Sequence, residues 1–192
     1  LWWLDQMVAV DNPFQERMVW FWHGHWATSM DKVIYANAMF QQNKIFRNNG
    51  LGNFKTFARA MIMEGALQYW LDNNSNTVKA PNENLARELM ELFTLGVNRY
   101  TETDIKQAAK ALTGYSLDRE SGEVTFNPSK HDSSVQTILG KSANFDGQSL
   151  VEFLVSRDDC ATFIAERIWF RFINDSTPFP DTSIQSAFSN RD

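Results

Sequence analysis

Glu16-Arg17-Met18-Val19-Trp20-Phe21-Trp22-His23-Gly24-His25-Trp26 is a densely apolar, aromatic run of helical character. Asn12-Pro13-Phe14 precedes it. A proline in the first turn marks a helix start, because the N–H it lacks would have had no partner there. At about 100° per residue, Phe14, Met18, Phe21 and His25 share one stripe, and Val19, Trp22 and Trp26 make a second. A helix apolar nearly all round belongs at the centre of a fold. Trp20, Trp22 and Trp26 are therefore expected in the core, with sugar stacking as the lesser alternative.

After this helix the pattern predicts a helical region from about Ile34 to Phe46, stopped by Asn48-Asn49-Gly50-Leu51-Gly52, whose Gly and Asn tolerate positive φ. Asn53 caps a helix from Phe54 to about Leu71, with a break near Gly65. Asp72 to Pro81 reads as a polar loop, and a strong helix follows from Asn82 to Leu95, ended by Gly96. Thr101-Glu102-Thr103-Asp104 opens another, running to about Thr113, with acidic residues in its first turn. Asp118-Arg119-Glu120-Ser121-Gly122-Glu123 is a turn signal between two short β-compatible runs, so Tyr115 to Phe126 is expected to form a small hairpin. Asn127 to Asp146 reads as mostly loop, Gly147–Ser156 and Asp158–Ile173 as helices, and Ser176-Thr177-Pro178-Phe179-Pro180 as a turn. The expected fold is mainly α, an irregular multi-helix array with one small β-hairpin, without the strand–helix alternation of an α/β protein. Leu1-Trp2-Trp3-Leu4 looks like the middle of a helix, and Ser183-Ile184-Gln185-Ser186-Ala187-Phe188 like the start of one. The expectation is a single helical domain over 1–192, forming an internal portion of a longer chain.

Composition narrows the function classes. At 43% hydrophobic, with 15 Phe and 7 Trp, the chain has ample material for a core. A net charge of −5 and no cluster of Lys and Arg argue against a nucleic-acid partner. No apolar run approaches the roughly 18 residues of a membrane span. Cys160 is the only cysteine, which excludes an internal disulfide and a Cys-rich zinc site, and its apolar surroundings read as a small buried hydrophobe.

Several segments together resemble a known bacterial family. They are the 16–26 stretch, Phe46-Arg47-Asn48-Asn49-Gly50-Leu51-Gly52-Asn53-Phe54, and most specifically Pro81-Asn82-Glu83-Asn84-Leu85-Ala86-Arg87-Glu88-Leu89-Met90-Glu91-Leu92-Phe93-Thr94-Leu95-Gly96. Tyr100-Thr101-Glu102, Ala111-Leu112-Thr113-Gly114 and His131-Asp132 follow in order. The chain resembles the family called domain of unknown function 1800. The resemblance implies an exported protein, periplasmic or secreted, and it carries over no catalytic residue.

Candidate sites come from the residues themselves. Asp72, Asn74, Asn76 and Glu83 fall at positions 1, 3, 5 and 12 of a calcium-loop spacing, with the Val78 carbonyl at position 7. Thr77 replaces the usual turn glycine and only two ligands are anionic, so this would be a weak structural calcium loop; the alternative is a set of amides capping helix ends. On the 82–95 helix, Asn84, Glu88, Glu91 and Leu95 share one stripe beside an apolar arc of Leu85, Leu89, Leu92 and Phe93. Glu88 and Glu91 are candidates for acid/base or metal-ligand work, and the alternative is an ion-pair network through Arg87 and Glu83. His23 and His25 lie about 200° apart on a helix, so only one could join a shared ion, with Glu88, Glu91 and His131 completing a Zn, Fe or Mn site. A lone histidine on an apolar helix is more often a satisfied core residue. Arg47 before the Gly-rich turn lacks the strand and Lys of a phosphate cradle. Two functions follow: a metal-dependent enzyme with a His/carboxylate site, or a non-enzymatic helical scaffold binding a protein partner or the remainder of its own chain.

Overall fold

The computed structural model describes residues 2–180. It is mainly α-helical. α1 (Trp2–Ala9) leads into α2 (Pro13–His25), α3 (Ala36–Asn49), α4 (Phe54–Ile62) and α5 (Gly65–Trp70). After the polar loop come α6 (Asn84–Glu88), which continues as a π-helical turn over Leu89–Thr94, and α7 (Glu102–Ala111). Strands β1 (Tyr115–Leu117) and β2 (Val124–Phe126) form the expected hairpin. A second hairpin, β3 (Gln136–Ile138) and β4 (Lys141–Ala143), follows, and α8 (Gly147–Val155) and α9 (Asp158–Phe172) close the array. The helix start predicted at 183–188 lies outside the described residues.

The helix starts are chemical. Asn12 accepts from Phe14 N–H ahead of Pro13, Asn53 accepts from Thr56 N–H, and Thr101 with Asp104 forms a reciprocal capping box. The expected 54–71 helix breaks at Met63-Glu64, where Glu64 caps α5. The stop after α3 has a different cause from the one predicted. Gly50 is right-handed, at φ −67°. What it supplies is room: a Cβ there would lie 2.5 Å from the Phe46 carbonyl oxygen and 2.6 Å from the Trp22 ring. That closeness lets Trp22 Nε1–H donate to the Gly50 carbonyl at 2.7 Å.

α2 packs on α3, α4 on α8, and α7 on β3. Trp22, Trp26, Phe46, Phe57, Leu89 and Ile105 sit in the continuous core they enclose, each such burial contributing roughly 1.5–3 kcal/mol. Two expected core residues are outside it: Phe14 is 51% and Trp20 52% exposed. Phe14 meets only Phe172 of α9, at 6.3 Å, and Trp20 only Trp3 of α1, at 5.7 Å, among the aromatic contacts of the described residues, and about half of each residue stays in solvent.

The β3–β4 segment was expected as loop. Its turn is Leu139-Gly140, both at positive φ (49° and 81°), the geometry that closes a two-residue hairpin. Leucine is an unusual choice there, and Asp104 Oδ1 holds it by accepting from Leu139 N–H at 2.7 Å. The 118–123 turn lies against α5, where a Cβ on Gly65 would meet the Gly122 carbonyl oxygen at 2.3 Å.

Candidate functional site

The helix carrying Glu88 and Glu91 is irregular. Leu95 N–H donates to the Met90 carbonyl at 2.9 Å, five residues back, and Thr94 Oγ1–H donates to the Leu89 carbonyl at 2.6 Å. A wide turn of this kind is frequent at functional positions, and it rotates everything after it. Leu92, expected in the apolar arc, is 45% exposed, whereas Leu95, expected beside the carboxylates, is fully buried.

Glu88 and Glu91 remain neighbours. Burial first, and the charge of Glu91 second, push the Glu88 carboxyl above the ordinary carboxylate range, while Arg87 pulls it down. Glu91 accepts a short hydrogen bond from Tyr100 Oη–H. Burial, and then that bond, push the Tyr100 hydroxyl up to about 12. Arg87 forks onto Glu102 through two bonds of 2.7 Å and reaches Glu83 at 3.3 Å. This network is solvent-facing, where ion pairs contribute little.

The histidines occupy three separate settings. His25 Nε2–H donates at 3.0 Å to the Phe93 carbonyl in the wide turn. A carbonyl only accepts, so that nitrogen carries the proton, and Nδ1 is buried with no partner among the described residues. Burial, then the Arg167 charge, lowers its pKa to about 3, against the opposing effect of the Phe93 bond. His25 is therefore neutral, and its stabilising contribution is present above pH 6.5 and lost as pH falls toward 3. Its ring signals are expected not to titrate between about pH 5 and 8 by NMR; an ordinary titration midpoint in the folded protein would contradict this placement. His23 is half-buried, edge-on to Trp3 at 5.2 Å, and burial lowers its pKa. His131 Nδ1–H donates to the Thr113 carbonyl at 3.1 Å, and its ring meets Phe126 at 5.3 Å. Among the described residues, no three His, Cys, Asp or Glu side chains are grouped to hold a metal ion.

The 72–83 loop is a capping device. Asn76 Nδ2–H donates to the Ala109 carbonyl at 2.8 Å near the end of α7, and its Oδ1 accepts from Asn82 N–H at 2.9 Å. Asn73 Nδ2–H reaches the Leu112 carbonyl at 3.1 Å and Gln68 Oε1 at 2.7 Å. Asp72, left-handed at φ 56°, pairs with Lys32 at 2.8 Å, Glu83 pairs with Arg87, and Asn74 is exposed. Asn76→Leu is expected to lower stability by about 1–3 kcal/mol by urea denaturation, since it leaves the Asn82 N–H without its acceptor and strips one of the two donors from the Ala109 carbonyl, which keeps Leu112 N–H at 3.2 Å. An unchanged midpoint would show that the amide is dispensable.

Three polar features escaped the sequence reading. Glu64, Gln42 and Thr28 form a buried chain of hydrogen bonds. Glu16 and Arg47 form a buried ion pair. Arg167 lines a groove beside α2. The acid just before Gly65 at the predicted break was a legible capping signal; Arg47 and Arg167 showed none.

Fold and sites together define a mainly α-helical protein whose embedded polar side chains cap and bridge its helices. The chain belongs to the family described as protein of unknown function (DUF1800), whose family model matches residues 1–190. Comparisons with curated proteins and with solved structures returned no match.

Proposed function

We propose that this chain is a non-enzymatic helical scaffold, in which the embedded imidazole, carboxylate and amide groups lock helices together. One observation carries the reading: three of the four residues that resemble a catalytic set, His25, His131 and Glu91, bond to different neighbours, as does Asn76 of the 72–83 loop. His25 holds Phe93, His131 holds Thr113, Glu91 holds Tyr100, and Asn76 holds the end of α7. Each such bond ties one element to another, although the second ring nitrogens of His25 and His131 are buried without a partner among the described residues. α1 buries none of its own residues and exposes Trp2, Leu4 and Val8, which supports a scaffold that also offers an apolar face to a protein partner.

The test separates this from a metal-dependent enzyme at Glu88, Glu91, His25 and His131, and from a structural calcium loop at 72–83. Purified protein is expected to carry no stoichiometric metal, and its melting temperature is expected not to move with added Zn, Mn, Fe or Ca. A shift abolished by Glu88→Gln would favour the enzyme, and one abolished by Asp72→Asn would favour the calcium loop.

A further inference from the structure

On the side of α2 that the core leaves exposed, Trp20, Phe21, Phe163, Trp169, Phe170 and Phe179 wall an open groove of about 800 Å³. That volume suits a small ligand rather than a broad protein contact. Arg167 lines it from α9. Its guanidinium lies 5.5 Å from the Phe163 ring centre, and its Nε is buried with no hydrogen-bond partner among the described residues. Among the described residues no ion pair includes Arg167. A guanidinium drawn partly out of water without a counter-charge is destabilising unless something supplies one. Burial lowers its pKa, and neither Glu166 nor Asp175, which line the same groove, forms an ion pair with it.

The neighbours set the charge of the missing partner. Arg171 adds a second cation to the groove, and Glu166 and Asp175 add two carboxylates. A dianion such as phosphate would meet both acids, whereas a single carboxylate matches the planar fork of one guanidinium. A neutral sugar would stack on the rings but leave Arg167 uncompensated. Trp20 and Phe170 expose 52% and 64% of their surface, which asks for an apolar body behind the acid. We propose that this groove binds a small monocarboxylate with an aromatic or aliphatic body, its carboxylate paired to Arg167 and its body laid against Trp20 and Phe170. The proposal goes beyond the scaffold reading and does not depend on it: His25 feels the Arg167 charge, but neither it nor the other locking residues line the groove.

The experiment titrates the full chain with indole-3-propionate, its neutral amide and phenyl phosphate, followed by calorimetry and NMR. The acid is expected to bind saturably, about tenfold or more tighter than the amide, with phenyl phosphate weaker than the acid. Arg167→Met is expected to abolish the difference between acid and amide, and Trp20→Ala to weaken both alike. Equal binding of acid and amide to the unaltered protein would overturn the proposal, as would no saturable binding of the acid below about 10 mM. Both of those outcomes need no variant, so they stand even if Arg167→Met fails to fold. Failure here would leave the metal and melting tests of the scaffold untouched.

Discussion

Arg47→Met is expected to lower stability by about 3–5 kcal/mol, the largest single loss foreseen for an ion pair in this fold. The Glu16 side chain is only 7% exposed and that of Arg47 15%. The guanidinium forks onto both carboxylate oxygens, with Nη2–H donating to Oε2 at 2.8 Å. Trp3 Nε1–H donates to the same carboxylate at 3.1 Å, and Arg47 Nε–H donates to Asn43 Oδ1 at 2.9 Å. One ion pair therefore ties α1, α2 and α3 together. Removing the cation strands a buried carboxylate, which is why the loss exceeds that of a surface pair. Replacing both partners, Glu16→Leu with Arg47→Met, is expected to recover most of it. Chemical denaturation of the single and double variants checks this, and a single-variant loss below about 1 kcal/mol would mean that water already reaches Glu16.

The second large effect depends on pH. Glu64 is 2% exposed, and its carboxylate accepts from Ala66 N–H and Leu67 N–H at 2.8 Å each and from Gln42 Nε2–H at 2.9 Å. No cation pairs with it among the described residues. Burial wins over those three donors and raises its pKa from 4.5 to about 7. A carboxyl whose folded value lies above its unfolded value stabilises fully below the unfolded pKa, and that contribution is lost as pH rises through the folded one. Between pH 4.5 and 7 the protein is thus expected to lose about 3 kcal/mol relative to Glu64→Gln, in which the titration is absent. Comparing the two proteins' unfolding free energies across that range isolates the effect, since His25 titrates identically in both. A flat difference would show that the donors at the start of α5 keep Glu64 ionised throughout.

Much of the architecture was readable because it rests on local chemistry. Pro13 behind Asn12, Asn53, and Thr101 with Asp104 announced helix starts, and the 118–123 turn announced the first hairpin. The second hairpin was hidden because its turn is Leu139-Gly140, and the force that holds it comes from Asp104, more than thirty residues earlier in sequence. The wide turn at 89–94 was hidden for a related reason. A regular 3.6-residue period put Leu92 inside and Leu95 with the carboxylates, and it could not register one extra residue in the turn. The candidate site failed to converge because period and spacing place residues on faces, whereas bonds to Phe93, Thr113 and Ala109 carbonyls are made in three dimensions. Arg47 and Arg167 look alike in sequence; only packing shows that the first is paired and that the second has no ion pair among the described residues.

The sole sulfhydryl has a practical consequence. Cys160 is 1% exposed in α9, and burial first pushes it up to about 12. In the closed protein it is therefore both shielded and protonated, the two conditions that most suppress alkylation. Any maleimide or iodoacetamide uptake measures how often α9 lifts from the rest, a native stopwatch for local breathing that requires no engineered label.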